Sequence, residues 1–140
     1  MEIIPFWQRF PKVAEAETRV IKLPQATMDL PADEYALVEF YCNKPKCDCR
    51  KVILQVWSKQ KPGVSLATLN FGWESGDFYV RWLHGDESAR ILSGLSFEPI
   101  SPQSPLCRPL MALVEWVLLE DPAYVDRLKR HYQMMKNPAN

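Results

Sequence analysis

Tyr35-Ala36-Leu37-Val38-Glu39-Phe40-Tyr41-Cys42 and Lys51-Val52-Ile53-Leu54-Gln55-Val56-Trp57 stand on either side of Asn43-Lys44-Pro45-Lys46-Cys47-Asp48-Cys49-Arg50. The flanking runs are rich in aromatic and branched aliphatic residues and read as strands. The link between them is short and interrupted by Pro45, so the two strands form a hairpin and pair antiparallel.

The same pattern extends outward from this hairpin. Residues 65–73 and 77–83 read as two further strands, separated by the turn signals Pro62-Gly63 and Ser75-Gly76. Upstream, Arg19-Val20-Ile21-Lys22-Leu23 alternates like a strand and stops at Pro24, and residues 25–33 read as a loop. Phe6, Trp7 and Phe10, held between Pro5 and Pro11, make one amphipathic helical turn. Alternation assigns Val38, Phe40, Val52, Leu54, Val56, Leu69, Phe71, Val80 and Trp82 to an apolar face. Glu39, Gln55, Thr68, Asn70 and Arg81 fall on the opposite, partly wet face.

The last third changes period. Residues 87–95 predict a short helix ending at Gly94. Leu106, Leu110, Leu113, Val114, Val117 and Leu118 then form one helical stripe, with Pro109 placing the regular start near itself. Asp121-Pro122 is an N-cap followed by proline at the first helical position. The helix after it carries Tyr124, Leu128, His131 and Met135 on its inner stripe and runs to about Lys136. The resulting fold class is α+β, a single domain over residues 1–140. It has an antiparallel four- to five-stranded meander sheet packed on one face by C-terminal helices, with a short N-terminal helix.

Composition narrows the function classes. An apolar fraction of 47% in 140 residues supports a full hydrophobic core without covalent staples. Lys plus Arg and Asp plus Glu cancel at 17 each, so no long-range field draws the chain to nucleic acid or an anionic membrane. No apolar run approaches a membrane span, and residues 1–10 lack a basic segment followed by an apolar one. The expectation is a soluble, cytoplasmic protein, where four cysteines act as ligands or free thiols rather than disulfides.

Three of those cysteines, Cys42, Cys47 and Cys49, crowd the hairpin turn. A tight turn brings its ends together, and Cys47 and Cys49 share side-chain parity in extended backbone, so all three can face one metal. Zinc takes four tetrahedral sulfur or nitrogen ligands. Lys44, Lys46, Arg50 and Lys51 surround the segment and favour the thiolate forms a metal requires. Two residues compete for the fourth place. Cys107 is either a ligand or a core thiol, and His131 is either a ligand or a satisfied core residue. His84, beside Gly85, reads as a turn residue.

Tyr41 through Arg50 resembles a family of uncharacterised bacterial proteins marked by Tyr-Cys-x4-Cys-Asp-Cys-Arg and sometimes joined to a separate SEC-C-type zinc motif. Further points of similarity are Phe6-Trp7 with Phe10-Pro11, Glu17-Thr18-Arg19, Leu30-Pro31 with Glu34-Tyr35, Phe71-Gly72-Trp73-Glu74 and Leu128-Lys129-Arg130-His131-Tyr132. The appended motif does not occur in these 140 residues. The resemblance implies a metal-associated domain without assigned activity and favours His131 over Cys107 as the fourth ligand.

The chain carries no Gly-x-Ser-x-Gly, phosphate-binding glycine loop, His-Glu-x-x-His or dinucleotide fingerprint. The expected function is therefore a non-enzymatic module stabilised by one structural zinc per chain and acting through a protein partner. Two alternatives remain open at this level. One is an enzyme with an open three-cysteine zinc and Glu39 or Asp48 as base. The other is a nucleic-acid binder that uses the basic knuckle with Tyr41 and Trp57 for stacking.

Overall fold

The computed structural model describes residues 3–101 and 103–137. Its elements, in chain order, begin with β1 (Ile3–Pro5), α1 (Phe6–Arg9), α2 (Pro11–Glu17) and β2 (Arg19–Leu23). Next come β3 (Asp33–Cys42), β4 (Lys51–Ser58), β5 (Ser65–Gly72) and α3 (Gly76–Trp82). A 3-10 turn (Glu87–Leu92), β6 (Gly94–Phe97), α4 (Cys107–Glu120) and α5 (Pro122–Lys136) complete the order.

The strands form one six-stranded sheet in the order β1-β3-β4-β5-β6, with β2 also paired to β3. Every pairing is antiparallel. β1 and β2 share one edge of the long β3, at residues 40–42 and 33–37 respectively. The architecture is α+β, as composition and pattern indicate, with one strand more than expected.

Helices α4 and α5 cover one face of this sheet. Leu110, Leu113, Val114 and Val117 from α4, and Tyr124, Leu128 and Met135 from α5, are all buried. They meet Leu37, Leu54, Val56, Ala67 and Leu69 of the sheet in one apolar cluster. Burying each such side chain fully contributes about 1.5–3 kcal/mol. The Asp121 carboxylate accepts from the Tyr124 amide at 3.2 Å, so α5 starts at the expected cap. α4 begins at Cys107 rather than near Pro109. Pro109 lies in the first turn, where the backbone N–H has no intrahelical partner, so proline there loses no hydrogen bond.

Three expectations are corrected. Residues 77–83 are not a strand; α3 occupies most of them. The Ser75 side chain caps this helix by accepting from the Phe78 amide, and Asp77 and Arg81 suit its two ends. The helix predicted over residues 87–95 is a shorter 3-10 turn, and Gly94, with φ of 75°, starts an edge strand instead. The third correction concerns β3, whose faces are reversed. Tyr35, Leu37, Glu39 and Tyr41 point to the helices, while Val38 and Phe40 lie half-buried on the other side. β3 is apolar on both faces, so its alternation has no unique reading. Glu39 thereby enters the core.

Candidate metal centre

The knuckle is the link between β3 and β4. Cys42 is the last residue of β3, and Cys49 precedes β4 by two positions. The sulfur atoms of Cys42, Cys47 and Cys49 all lie within 4.8 Å of one another. Around a tetrahedral ion with metal–sulfur bonds of about 2.3 Å, sulfur atoms are about 3.8 Å apart. Small side-chain rotations close that difference, so the three residues fit a thiophilic ion. Cys42 and Cys49 are buried and Cys47 is half-buried, which leaves the cluster one side toward solvent.

Each turn of this loop is held by a named contact. The Cys47 amide donates to the Lys44 carbonyl at 3.1 Å. From the end of α5, the Lys136 ammonium donates to the carbonyls of Cys42 (3.2 Å) and Lys44 (2.8 Å). One turn earlier, the Tyr132 hydroxyl donates to the Cys47 carbonyl at 3.3 Å and accepts from the Arg50 amide at 3.1 Å.

Arg50 has φ of 46°, a left-handed conformation that costs energy for a residue with a side chain. It is over-determined on every side. Its carbonyl accepts from the Tyr79 hydroxyl at 2.6 Å, and its guanidinium holds Asp48 through two bonds of 2.9 Å and Glu74 through one of 3.2 Å. The guanidinium also lies 4.6 Å from the centre of the Phe78 ring. Gly72 admits this arrangement. A Cβ there would collide with the Leu92 carbonyl and the Tyr79 hydroxyl, so only glycine lets Tyr79 reach Arg50.

The thiols influence one another. Burial raises the Cys42 thiol, but hydrogen bonds from the Lys44 amide and Cys47, together with the Lys136 ammonium, bring it below the usual thiol value. Cys47 is pushed up to about 11, first by burial and then by the charges of Cys49 and Cys42 beside it. The neighbouring sulfurs therefore oppose ionisation of Cys47. A bound divalent cation removes that opposition, because it supplies the charge the thiolates need.

His131, expected to complete the set, stands outside it. The ring is fully buried, with Nδ1 2.6 Å from a Glu39 carboxylate oxygen and Nε2 2.7 Å from a Glu17 carboxylate oxygen. Phe6 stacks on it at 4.1 Å with the planes 14° apart. The same Glu39 oxygen accepts from the Tyr41 hydroxyl at 2.7 Å. Both imidazole nitrogens are thus committed to carboxylates. His131 pins α5 to β3, α1 and the end of α2.

Cys107 is half-buried at the start of α4 and packs against the core, outside the sulfur cluster. His84 is exposed with φ of 57°, in the turn before Gly85. The residues that sequence reasoning missed are Tyr132, Lys136, Tyr79 and Gly72. Tyr132 directly follows His131, and it is this residue of α5 that contacts the knuckle.

Among the described residues no helix is long and apolar enough to cross a membrane. Comparison of the chain with protein-family models, with curated proteins and with solved structures finds no match in any of the three.

Proposed function

We propose that this chain is a non-catalytic interaction module stabilised by one zinc ion, held by Cys42, Cys47 and Cys49, and that it works in a reducing, cytoplasmic setting. The observation that carries the reading is the convergence of three sulfurs within 4.8 Å on a loop braced by Lys136, Tyr132 and Arg50. Thiolate sulfur selects soft or borderline ions, and zinc accepts a tetrahedral set without redox chemistry. The resemblance of residues 41–50 to a cysteine-signature family supports the same reading.

Two features favour binding over catalysis. The candidate bases are already engaged, Asp48 by Arg50 and Glu39 by His131 and Tyr41. The sheet face opposite the helices carries Val38, Phe40, Ile53 and Trp57, all half-exposed, with the Trp57 indole N–H satisfied by Gln55 at 2.9 Å. Such a face suits a protein partner.

Elemental analysis of untagged protein purified without chelator tests this reading. The expected result is about one zinc per chain, with Cys42, Cys47 and Cys49 unreactive to a thiol reagent until the metal is removed. Metal-free protein with freely reactive thiols at all three positions would overturn it.

A further inference from the structure

Resting on the metal reading above, the geometry points to a fourth coordination position that is filled from outside the described chain, and we propose that its ligand is an exogenous thiolate. Four donors complete a tetrahedral zinc or cobalt site, and the cluster gathers three. Among the described residues, the other donors of the neighbourhood are committed. Asp48 lies in a two-bond pair with Arg50, and Glu74 is bonded to the same guanidinium. His131 has a carboxylate on each nitrogen. Cys107 lies outside the cluster. Cys47 is the half-buried member, so the cluster is reached from solvent on its side.

The chemistry of that rim selects the ligand class. Lys44 and Lys46 are exposed on the loop itself, and the Lys136 ammonium lies against the Cys42 and Lys44 carbonyls. These cations favour an anion over a neutral donor. An ion already bound by three sulfurs is soft in character and favours sulfur over a carboxylate or water oxygen. An anionic sulfur ligand satisfies both conditions. It has two available sources, a low-molecular-weight thiol or the cysteine of a partner protein. In the second case the metal would itself be part of the interface. The binding step is ligand exchange: the thiol loses its proton to solvent and its sulfur displaces the water on the ion, with no change of oxidation state.

The test uses the full chain loaded with cobalt(II) in thiol-free buffer and read by its visible d–d bands and near-ultraviolet sulfur-to-cobalt charge transfer. The probes are 2-mercaptoethanol, glutathione and an acidic peptide bearing one cysteine, with ethanol as the oxygen control. Charge-transfer intensity is expected to rise by about a third on saturation, as three sulfur ligands become four, and ethanol is expected to change nothing. Saturation by glutathione at lower concentration than the peptide assigns the position to a small thiol, and the reverse order assigns it to a protein cysteine. Cys107→Ala and His131→Gln should leave the response intact. Bound cobalt whose spectrum no thiol alters would overturn this inference alone, because the chain would then close the site itself. Failure to bind cobalt at all would remove the metal reading as well.

Discussion

Replacing His131 by alanine separates the fold from the candidate metal centre. The substitution removes the ring nitrogens facing Glu39 and Glu17 and the ring stacked on Phe6. Glu39 is 4% exposed and, among the described residues, keeps only the Tyr41 hydroxyl as a donor, and breaking a buried pair costs about 3–5 kcal/mol. Loss of the stacked pair adds about 0.5–1.5 kcal/mol. Glu17, with its side chain 31% exposed, is screened by water and adds little. The Tyr41 hydroxyl and entry of water relieve part of the penalty, so the expected loss is about 4 kcal/mol.

A chain of this length has a total stability of roughly 7–20 kcal/mol, so the variant should still fold. At about 3 °C per kcal/mol its thermal midpoint should fall by roughly 10–15 °C. Adding Glu39→Gln should recover part of that loss, because the two residues are coupled. Urea unfolding followed by tryptophan fluorescence gives the stability, and elemental analysis of the same sample gives the metal. The expected outcome is a lower midpoint with zinc content unchanged. An unchanged midpoint with zinc lost would refute the reasoning and make His131 a ligand.

Three further outcomes follow from the same contacts. Gly72→Ala should cost about 1–3 kcal/mol, the usual penalty for forcing an atom into filled space. It should also weaken zinc retention by displacing Tyr79 from Arg50; a competition assay with a chromogenic chelator that finds native affinity would contradict this. The second outcome concerns pH. The Glu17 carboxyl is held below the usual carboxylate range, first by its hydrogen bond with His131 and then by Arg130. A depressed folded-state value gives stability that is present above the unfolded value and lost as pH falls through the folded one. Glu17→Gln should therefore flatten the acid limb of the stability curve, by at most about 1 kcal/mol given its exposure. An unaltered acid limb in urea titrations would show that the bond contributes nothing. Third, chelation should destabilise the protein without unfolding it, since Cys42 and Cys49 are only one edge of an apolar core that also takes in the sheet, α4 and α5. Circular dichroism collapsing to random coil would show otherwise.

How much of this was legible in the sequence depended on whether one face dominated. β2, β4 and β5 read correctly as strands because their alternation or flanking turns had a single solution, and α5 because Asp121-Pro122 is an unambiguous start. Thr68 and Asn70, expected on the partly wet face of β5, are instead buried, because the chain after α3 covers them from Leu92 and Gln103. β3 has Tyr35, Leu37 and Tyr41 on one parity and Val38 and Phe40 on the other, so only tertiary packing decides its orientation. Residues 77–83 alternate well enough to pass for a strand, and the Ser75 cap is the local signal that outweighs the alternation. The three clustered cysteines were visible from spacing alone. Their supports were not, because Tyr79, Tyr132 and Lys136 reach the knuckle across 29 to 94 positions of chain. The inward position of His131 was legible, but the burial of Glu39 opposite it was hidden by the ambiguous parity of β3. A histidine facing two carboxylates and one facing a metal look alike from the sequence.

X-ray absorption at the zinc edge, on untagged protein in thiol-free buffer, tests the central claim most directly. The account predicts three sulfur scatterers at about 2.3 Å and one lighter atom at about 2.0 Å, with the sulfur shell lost when Cys42, Cys47 and Cys49 are changed together to serine. Zinc surrounded only by nitrogen and oxygen, or a sulfur shell that survives the triple substitution, would contradict it.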